Sequence, residues 1–166
     1  MLVAHEIVTK QPGECTASEF KKILALVIAG GEVAAGGLEN RARQAELFAL
    51  LSSNKEIVGI AALKNPAAAY RAYVSTASGA SLVRSSLPYE LGWVYVSPQY
   101  RGVGYAQELC LRLINSAGPF GLFATSNTEN ASMHHVLFKL GFVGAGTPYR
   151  SRRGEHQLQV FIKPAT

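Results

Sequence analysis

Residues 89–113, YELGWVYVSPQYRGVGYAQELCLRL, confine the chain more than any other segment. An apolar strand stops at Ser97-Pro98. A loop with Arg101, Gly102, Gly104 and Ala106 follows, and a helix begins almost at once. Glycine lets the backbone take turn geometry and approach an anion closely. The N–H groups that open the next helix point at such an anion, and the helix dipole favours negative charge there. The layout suits a pyrophosphate. It is not a Walker loop, because no Gly-Lys-Ser/Thr follows. It is not the dinucleotide fingerprint either, since only Gly102-x-Gly104 is present and Gln107 stands three residues beyond Gly104.

The spacing Arg101-x-x-Gly104-x-Ala106 resembles the acyl-CoA loop, Q/R-x-x-G-x-G/A, of the GNAT superfamily of N-acetyltransferases. A second segment, 127–142, NTENASMHHVLFKLGF, resembles the helix after the fifth strand in the same superfamily. Asn130, Val136, Leu137, Lys139, Leu140, Gly141 and Phe142 fit that pattern, while Met133 stands where it has a small residue. One helix and one strand separate the two motifs, as the resemblance requires.

The rest of the chain is read from periodicity and punctuation. Residues 2–9 read as a strand. Thr16-Ala17-Ser18-Glu19 is a capping box, and Phe20, Ile23, Leu24 and Val27 repeat at helical spacing up to Gly30-Gly31. Ala35-Gly36-Gly37 is a joint before a helix expected over Leu38–Leu51. Strands are expected at Glu56–Leu63, which Asn65-Pro66 breaks, and at 70–76. The Ser/Gly content of 77–87 predicts a loop. Then come a strand at Glu90–Val96, a helix at Tyr105–Ala117, a strand at Leu122–Thr125 and a helix at Glu129–Leu140, capped by Gly141. Strands at Phe142–Tyr149 and Gln157–Lys163 flank the turn 150–154. The order β-α-α-β-β-β-α-β-α-β-β implies a GNAT fold. This is an α/β architecture: a mixed, mostly antiparallel sheet of about seven strands, with four helices on its two faces. Length predicts one domain, 1–166, large enough for a real core.

The resemblance implies an acetyl-CoA-dependent N-acetyltransferase acting on a primary amine by direct transfer in a ternary complex, with acetyl-CoA as cosubstrate and no metal. Backbone groups of Val94, Tyr95 and Val96 would bind the pantetheine arm. The loop Arg101, Gly102, Val103, Gly104, Tyr105 and Ala106 would bind the pyrophosphate, and Asn130 would contact the cofactor arm. Glu90, eleven residues before Arg101, matches the general base of some histone-type relatives. Its neighbours Leu91 and Trp93 make an apolar setting for it. The solvent-facing carboxylate of a strand start is the plain alternative. Many relatives carry a tyrosine on the helix after strand five to protonate the leaving thiolate. Leu137 stands at that position here, so Tyr149, His134, His135 or water must substitute. Ser126 and Asn127 are alternatives for orienting the thiol. Tyr70, Tyr73, Tyr89 and Tyr149 are candidate walls of an acceptor pocket. Arg150, Arg152 and Arg153 would favour an acidic acceptor, or merely form a solvated turn.

Composition narrows the alternatives. All eleven acidic residues are glutamates, which excludes Asp-based metal loops and triads. Cys15 and Cys110 are too few for a disulfide framework, and no Cys/His spacing suggests zinc. The N-terminus lacks the basic lead and apolar core of a signal peptide, and no stretch is long enough to span a bilayer. A cytoplasmic setting is therefore expected. The net charge of +5 suits either a solvated basic surface or a polyanion such as CoA. No nucleic-acid-binding motif supports a nucleic-acid partner, and no membrane partner is expected. A small-molecule or peptide amine is the expected acceptor, and a homodimer is left open. Two other functions stay open: a CoA-binding module without turnover, and an RNA-directed toxin-type acetyltransferase.

Overall fold

The structure is a computed structural model, described over residues 4–31 and 33–166. Its strands are β1 His5–Lys10, β2 Leu47–Ser53, β3 Glu56–Lys64, β4 Tyr89–Val96, β5 Leu122–Asn127, β6 Val143–Arg150 and β7 Gln157–Lys163. Its helices are α1 Ala17–Ala29, α2 Leu38–Arg43, α3 Ala68–Ser78, α4 Tyr105–Ala117 and α5 Ala131–Lys139. The strands form one sheet in the order β1-β2-β3-β4-β5-β7-β6. The β1–β2, β2–β3, β5–β7 and β6–β7 pairs are antiparallel. The β4–β5 pair is parallel, through Tyr89↔Leu122 and Glu90↔Phe123. The mixed, mostly antiparallel sheet expected from the sequence is thus present. The expected start of β1 at residues 2 and 3 lies outside the described residues.

The chain divides into two compact units. The first runs up to Lys64 and includes Leu91–Ser116. Its α1 begins as the sequence predicts: Thr16 accepts from the Glu19 amide at 3.0 Å, and the Glu19 carboxylate accepts from the Thr16 amide at 2.8 Å. Both satisfy amides that a helix start leaves without partners. Phe20, Ile23, Leu26 and Val27 form the buried face of α1, in a core with Phe48, Leu50, Ile60 and Ala62. Each of these side chains larger than alanine contributes about 1.5–3 kcal/mol by leaving water.

The helix expected over Leu38–Leu51 is corrected here. It stops at Arg43, and Leu47–Ser53 is strand β2. With β1 on one side and β3 on the other, β2 buries Phe48, Ala49, Leu50 and Leu51 in succession. A strand buried on both faces reads as an unbroken apolar run, and periodicity alone cannot separate that run from a buried helix.

The second unit comprises Asn65–Glu90 and Ala117–Thr166. Here the strand expected at 70–76 is corrected to helix α3. Aromatic and β-branched residues suggest a strand, yet Tyr70, Tyr73, Val74 and Ala77 are spaced for one helical face. That face belongs to a core with Phe123, Tyr149, Leu158 and Val160. The helix ends at Gly79, whose φ of 78° is left-handed. The segment 79–88 then returns without regular structure, as predicted for 77–87 except that Ala77 and Ser78 still belong to α3. Arg71 holds it: Nη1 donates to the Leu82 and Leu87 carbonyls at 3.1 and 2.8 Å, and Nη2 to the Pro88 carbonyl at 3.1 Å.

The two corrections offset each other. The predicted order of elements returns on different residues, with β2 gained, a strand lost, and one additional helix, α3, placed between β3 and β4.

Candidate functional site

In the first unit, β4 leads into the glycine loop. Ser97 opens a short 3-10 turn at Pro98–Tyr100, and its amide donates to the Val58 carbonyl at 2.9 Å, tying the strand's end to β3. Arg101 Nε donates back to the Val96 carbonyl at 2.6 Å, with its guanidinium 5.2 Å from the centre of the Tyr95 ring. Gly102 and Gly104 have φ of 86° and 91°, a region that residues with a Cβ rarely enter. A Cβ built on either would meet nothing within 4 Å. Backbone conformation therefore explains the glycines, and the space beside them is open. Helix α4 starts at Tyr105, with the Glu108 amide donating to the Gly104 carbonyl at 3.1 Å. Amides earlier in that turn have no carbonyl within the helix to bond. Open space, left-handed glycines and a helix start thus come together over Arg101, Gly102, Val103, Gly104, Tyr105 and Ala106. Val94, Tyr95 and Val96 stand together directly upstream, Val94 and Tyr95 half-buried and Val96 buried.

One feature of β4 escapes sequence reasoning. Trp93 has a φ of 51°, so a bulky residue takes the left-handed region inside a strand. Such a residue costs on the order of 1–3 kcal/mol and persists only where its surroundings hold it. The Lys64 ammonium lies 5.1 Å from the Trp93 ring centre. Gly92 makes room for that lysine, since a Cβ there would stand 3.0 Å from Lys64 Cδ.

In the second unit, Glu90 is 1% exposed, so the solvent-facing alternative is overturned. Its Oε2 accepts from the Tyr70 hydroxyl at 3.0 Å and the Thr125 hydroxyl at 3.2 Å. Burial, then the charge of Glu90, then Tyr149, raise the Tyr70 phenol above its ordinary pKa. Tyr70 therefore keeps its proton and donates. Tyr149 is buried, with its ring 6.3 Å from that of Tyr73. The helix α3 thus brings both predicted catalytic residues, Glu90 and Tyr149, to bear on one phenol. Sequence reasoning placed Tyr70 only as a pocket wall and missed Thr125. The helical spacing of Tyr70, Tyr73 and Val74 is the signal that aims Tyr70 at the sheet.

The remaining candidates are on β5 and α5. Asn130 caps α5, its side-chain oxygen accepting from the Met133 amide at 3.1 Å. Leu137 is fully buried in the core. His134 is half-buried. Its ring lies 4.9 Å from that of Phe161, and Nε2 donates to the Asn127 carbonyl at 2.9 Å, which places the ring proton on Nε2. His135 is exposed. Ser126 is buried and directs its hydroxyl to the Asn127 carbonyl at 3.5 Å. Among the described residues no three His, Cys, Asp or Glu side chains converge as a metal site, and no helix is long and apolar enough to cross a membrane.

Known structures share this fold. An acyl-CoA N-acyltransferase from Pseudomonas aeruginosa superposes with a TM-score of 0.70 at 14% identity, covering 96% of this chain and 99% of that one. The ribosomal-protein-S18-alanine N-acetyltransferase from Escherichia coli gives 0.69 at 15% identity, covering 98% and 95%. The yncA protein of Salmonella typhimurium, solved with its cofactor acetyl-CoA, gives 0.64 at 19% identity, covering 97% and 94%. At these identities the likeness is one of fold. No curated protein matches the sequence. The acetyltransferase (GNAT) family profile, however, matches residues 32–142, a span that holds both the glycine loop and α5, and on that match the chain belongs to the GNAT acetyltransferase family.

Proposed function

We propose that this chain is an acetyl-CoA-dependent N-acetyltransferase that moves an acetyl group directly to a primary amine in a ternary complex. The observation that carries the reading is the loop of Gly102 and Gly104. Both take left-handed conformations at a helix start, both face open space, and both lie inside the family match. In this reading the two compact units are parts of one domain, because the matched span 32–142 runs through both. The setting is cytoplasmic and no metal takes part.

Acetyl-CoA supplies an activated acyl thioester when bound. The amides of the 101–106 loop and the α4 start hold its pyrophosphate, backbone groups of Val94, Tyr95 and Val96 hold the pantetheine arm, and Asn130 supports that arm. Glu90 is the general base: an ammonium has no lone pair, so the amine must lose a proton before it attacks. Placing the reactants together supplies much of the rate. Leu137 has no proton to give, so water protonates the departing thiolate. Acceptors are small-molecule or peptide amines.

A second reading, a CoA-binding module without turnover, draws support from the buried Leu137. One experiment separates the two: a panel of amines with acetyl-CoA, scored by release of free CoA thiol, beside calorimetry of acetyl-CoA alone. Turnover of any amine supports the enzyme. Binding with no turnover across the panel supports the module, and absence of binding overturns both.

A further inference from the structure

If Glu90 is the base, its burial poses a problem of access. A carboxylate that is 1% exposed cannot meet an amine directly. One oxygen, Oε2, receives two hydroxyl donors. Tyr70 comes from α3 and is half-buried, whereas Glu90 is sealed. A phenol can donate one proton while accepting another at the same oxygen, which is what a relay needs. Thr125 also has a hydroxyl, but an aliphatic alcohol is far less acidic than a phenol and serves better to hold the carboxylate in place.

We infer that Tyr70 is a catalytic residue whose hydroxyl carries the acceptor's proton to Glu90. The inference rests on the reading of Glu90 as base. Before attack, one N–H bond of the acceptor ammonium breaks and the proton passes to Tyr70 Oη. The original Tyr70 O–H bond breaks in the same step, and that proton passes to Glu90 Oε2. Tyr70 ends neutral, as it began. Glu90 ends as a carboxylic acid and the acceptor as a neutral amine, which attacks the thioester; the second nitrogen proton leaves through water, which protonates the departing thiolate. After the thiolate leaves, the Glu90 proton returns through Tyr70 to water, and the site is reset. Because Tyr70 holds its proton firmly, the two transfers are concerted and no free phenolate forms. Among the groups that face Tyr70 are Glu90 from β4, Thr125 from β5 and Tyr149 from β6. Arg71, next to it on α3, feels both Glu90 and Arg84. Strand β7 contributes Leu158, Val160 and Ile162 to this core.

The test compares Tyr70→Phe, Thr125→Val and Glu90→Gln with the wild type. The probe acceptors are L-lysine, L-glutamate and an alanine-leading peptide, with water as acceptor in slow acetyl-CoA cleavage where no amine reacts. Tyr70→Phe should lower kcat roughly 10²-fold, the lower end of general acid–base effects, and leave the KM for acetyl-CoA within about twofold. The deficit should shrink as pH rises and the ammonium loses its proton unaided, and the solvent deuterium isotope effect should fall below the wild-type value. Thr125→Val should lower kcat by less than about tenfold. Should Tyr70→Phe fold poorly, 3-fluorotyrosine at position 70 keeps the shape, and its more acidic phenol should displace the pH–rate profile. Wild-type kcat and pH profile in Tyr70→Phe, with Glu90→Gln impaired, overturn the relay alone. Wild-type behaviour in both variants overturns the base as well, and so does cleavage of no probe by a protein that binds acetyl-CoA.

Discussion

Arg101 Nε stands 2.6 Å from the Val96 carbonyl oxygen, closing the glycine loop back onto the strand it leaves. The bond is charge-assisted and therefore among the stronger kinds. It makes Arg101 a brace for the loop's backbone as well as a positive charge near it.

Arg101→Met should weaken acetyl-CoA binding by about tenfold or more, the loss of one hydrogen bond to a charged group. Arg101→Lys should restore little, because an ammonium lacks the planar fork and the stacking surface offered to Tyr95. Calorimetry of the three proteins checks both statements. Equal affinities would remove Arg101 from the loop's function.

Gly104→Val should abolish measurable acetyl-CoA binding. A β-branched residue resists a φ of 91°, and its Cβ would enter the open space beside the loop. Since that space is empty of protein, the fold should lose only about 1–2 kcal/mol from the backbone conformation. Thermal unfolding and calorimetry together separate the two effects. A variant that binds normally would sink the loop assignment.

Glu90→Gln should lower kcat by about 10²–10⁴-fold with little change in acetyl-CoA affinity. A glutamine oxygen can still accept from Tyr70 and Thr125, so the neighbourhood survives while the proposed base is lost. The deficit should narrow at high pH. Steady-state kinetics across pH decides the matter.

His134→Ala should lower kcat by less than about tenfold and still destabilise the fold. The ring rests on Phe161 and donates to the Asn127 carbonyl, so its removal leaves a gap and a carbonyl short of one donor. A hundredfold loss of kcat in a folded, acetyl-CoA-binding variant would make His134 the acid that Leu137 is not.

Arg71→Met should cost about 3 kcal/mol or more, since each buried carbonyl left without its donor costs about 1–3 kcal/mol. Three carbonyls, of Leu82, Leu87 and Pro88, lose their donor together. Denaturant unfolding measures the loss. A change under about 1 kcal/mol would mean that the segment stands without its arginine.

The loop, α1 and α4 are legible in the sequence because local chemistry decides them: a capping box, glycines at turns, and one apolar stripe. The run Leu47–Leu51 is not, because burial on both faces erases the alternation that marks a strand. Residues 70–76 mislead in the opposite way, since Tyr, Val and Thr suggest a strand while their spacing is helical. The carboxylate of Glu90 could be singled out by its distance from Arg101. Its partners could not, because Tyr70 and Thr125 meet it only through tertiary packing. Trp93 shows the same limit: nothing in a tryptophan between Gly92 and Val94 announces a left-handed backbone.

Strands β3 and β4 are neighbours in the sheet, yet the chain takes the whole excursion 65–88 to pass from one to the other. Closing a long loop costs little more than closing a short one, about 0.6 kcal/mol for each doubling of length. Closure therefore does not fix the length of this excursion; its packing does, since Val74, Leu82 and Leu87 are buried in the core and Arg71 ties three of its carbonyls. Because that excursion delivers Tyr70 to Glu90, any sequence grafted between Lys64 and Tyr89 has to bring a phenol to the same carboxylate oxygen.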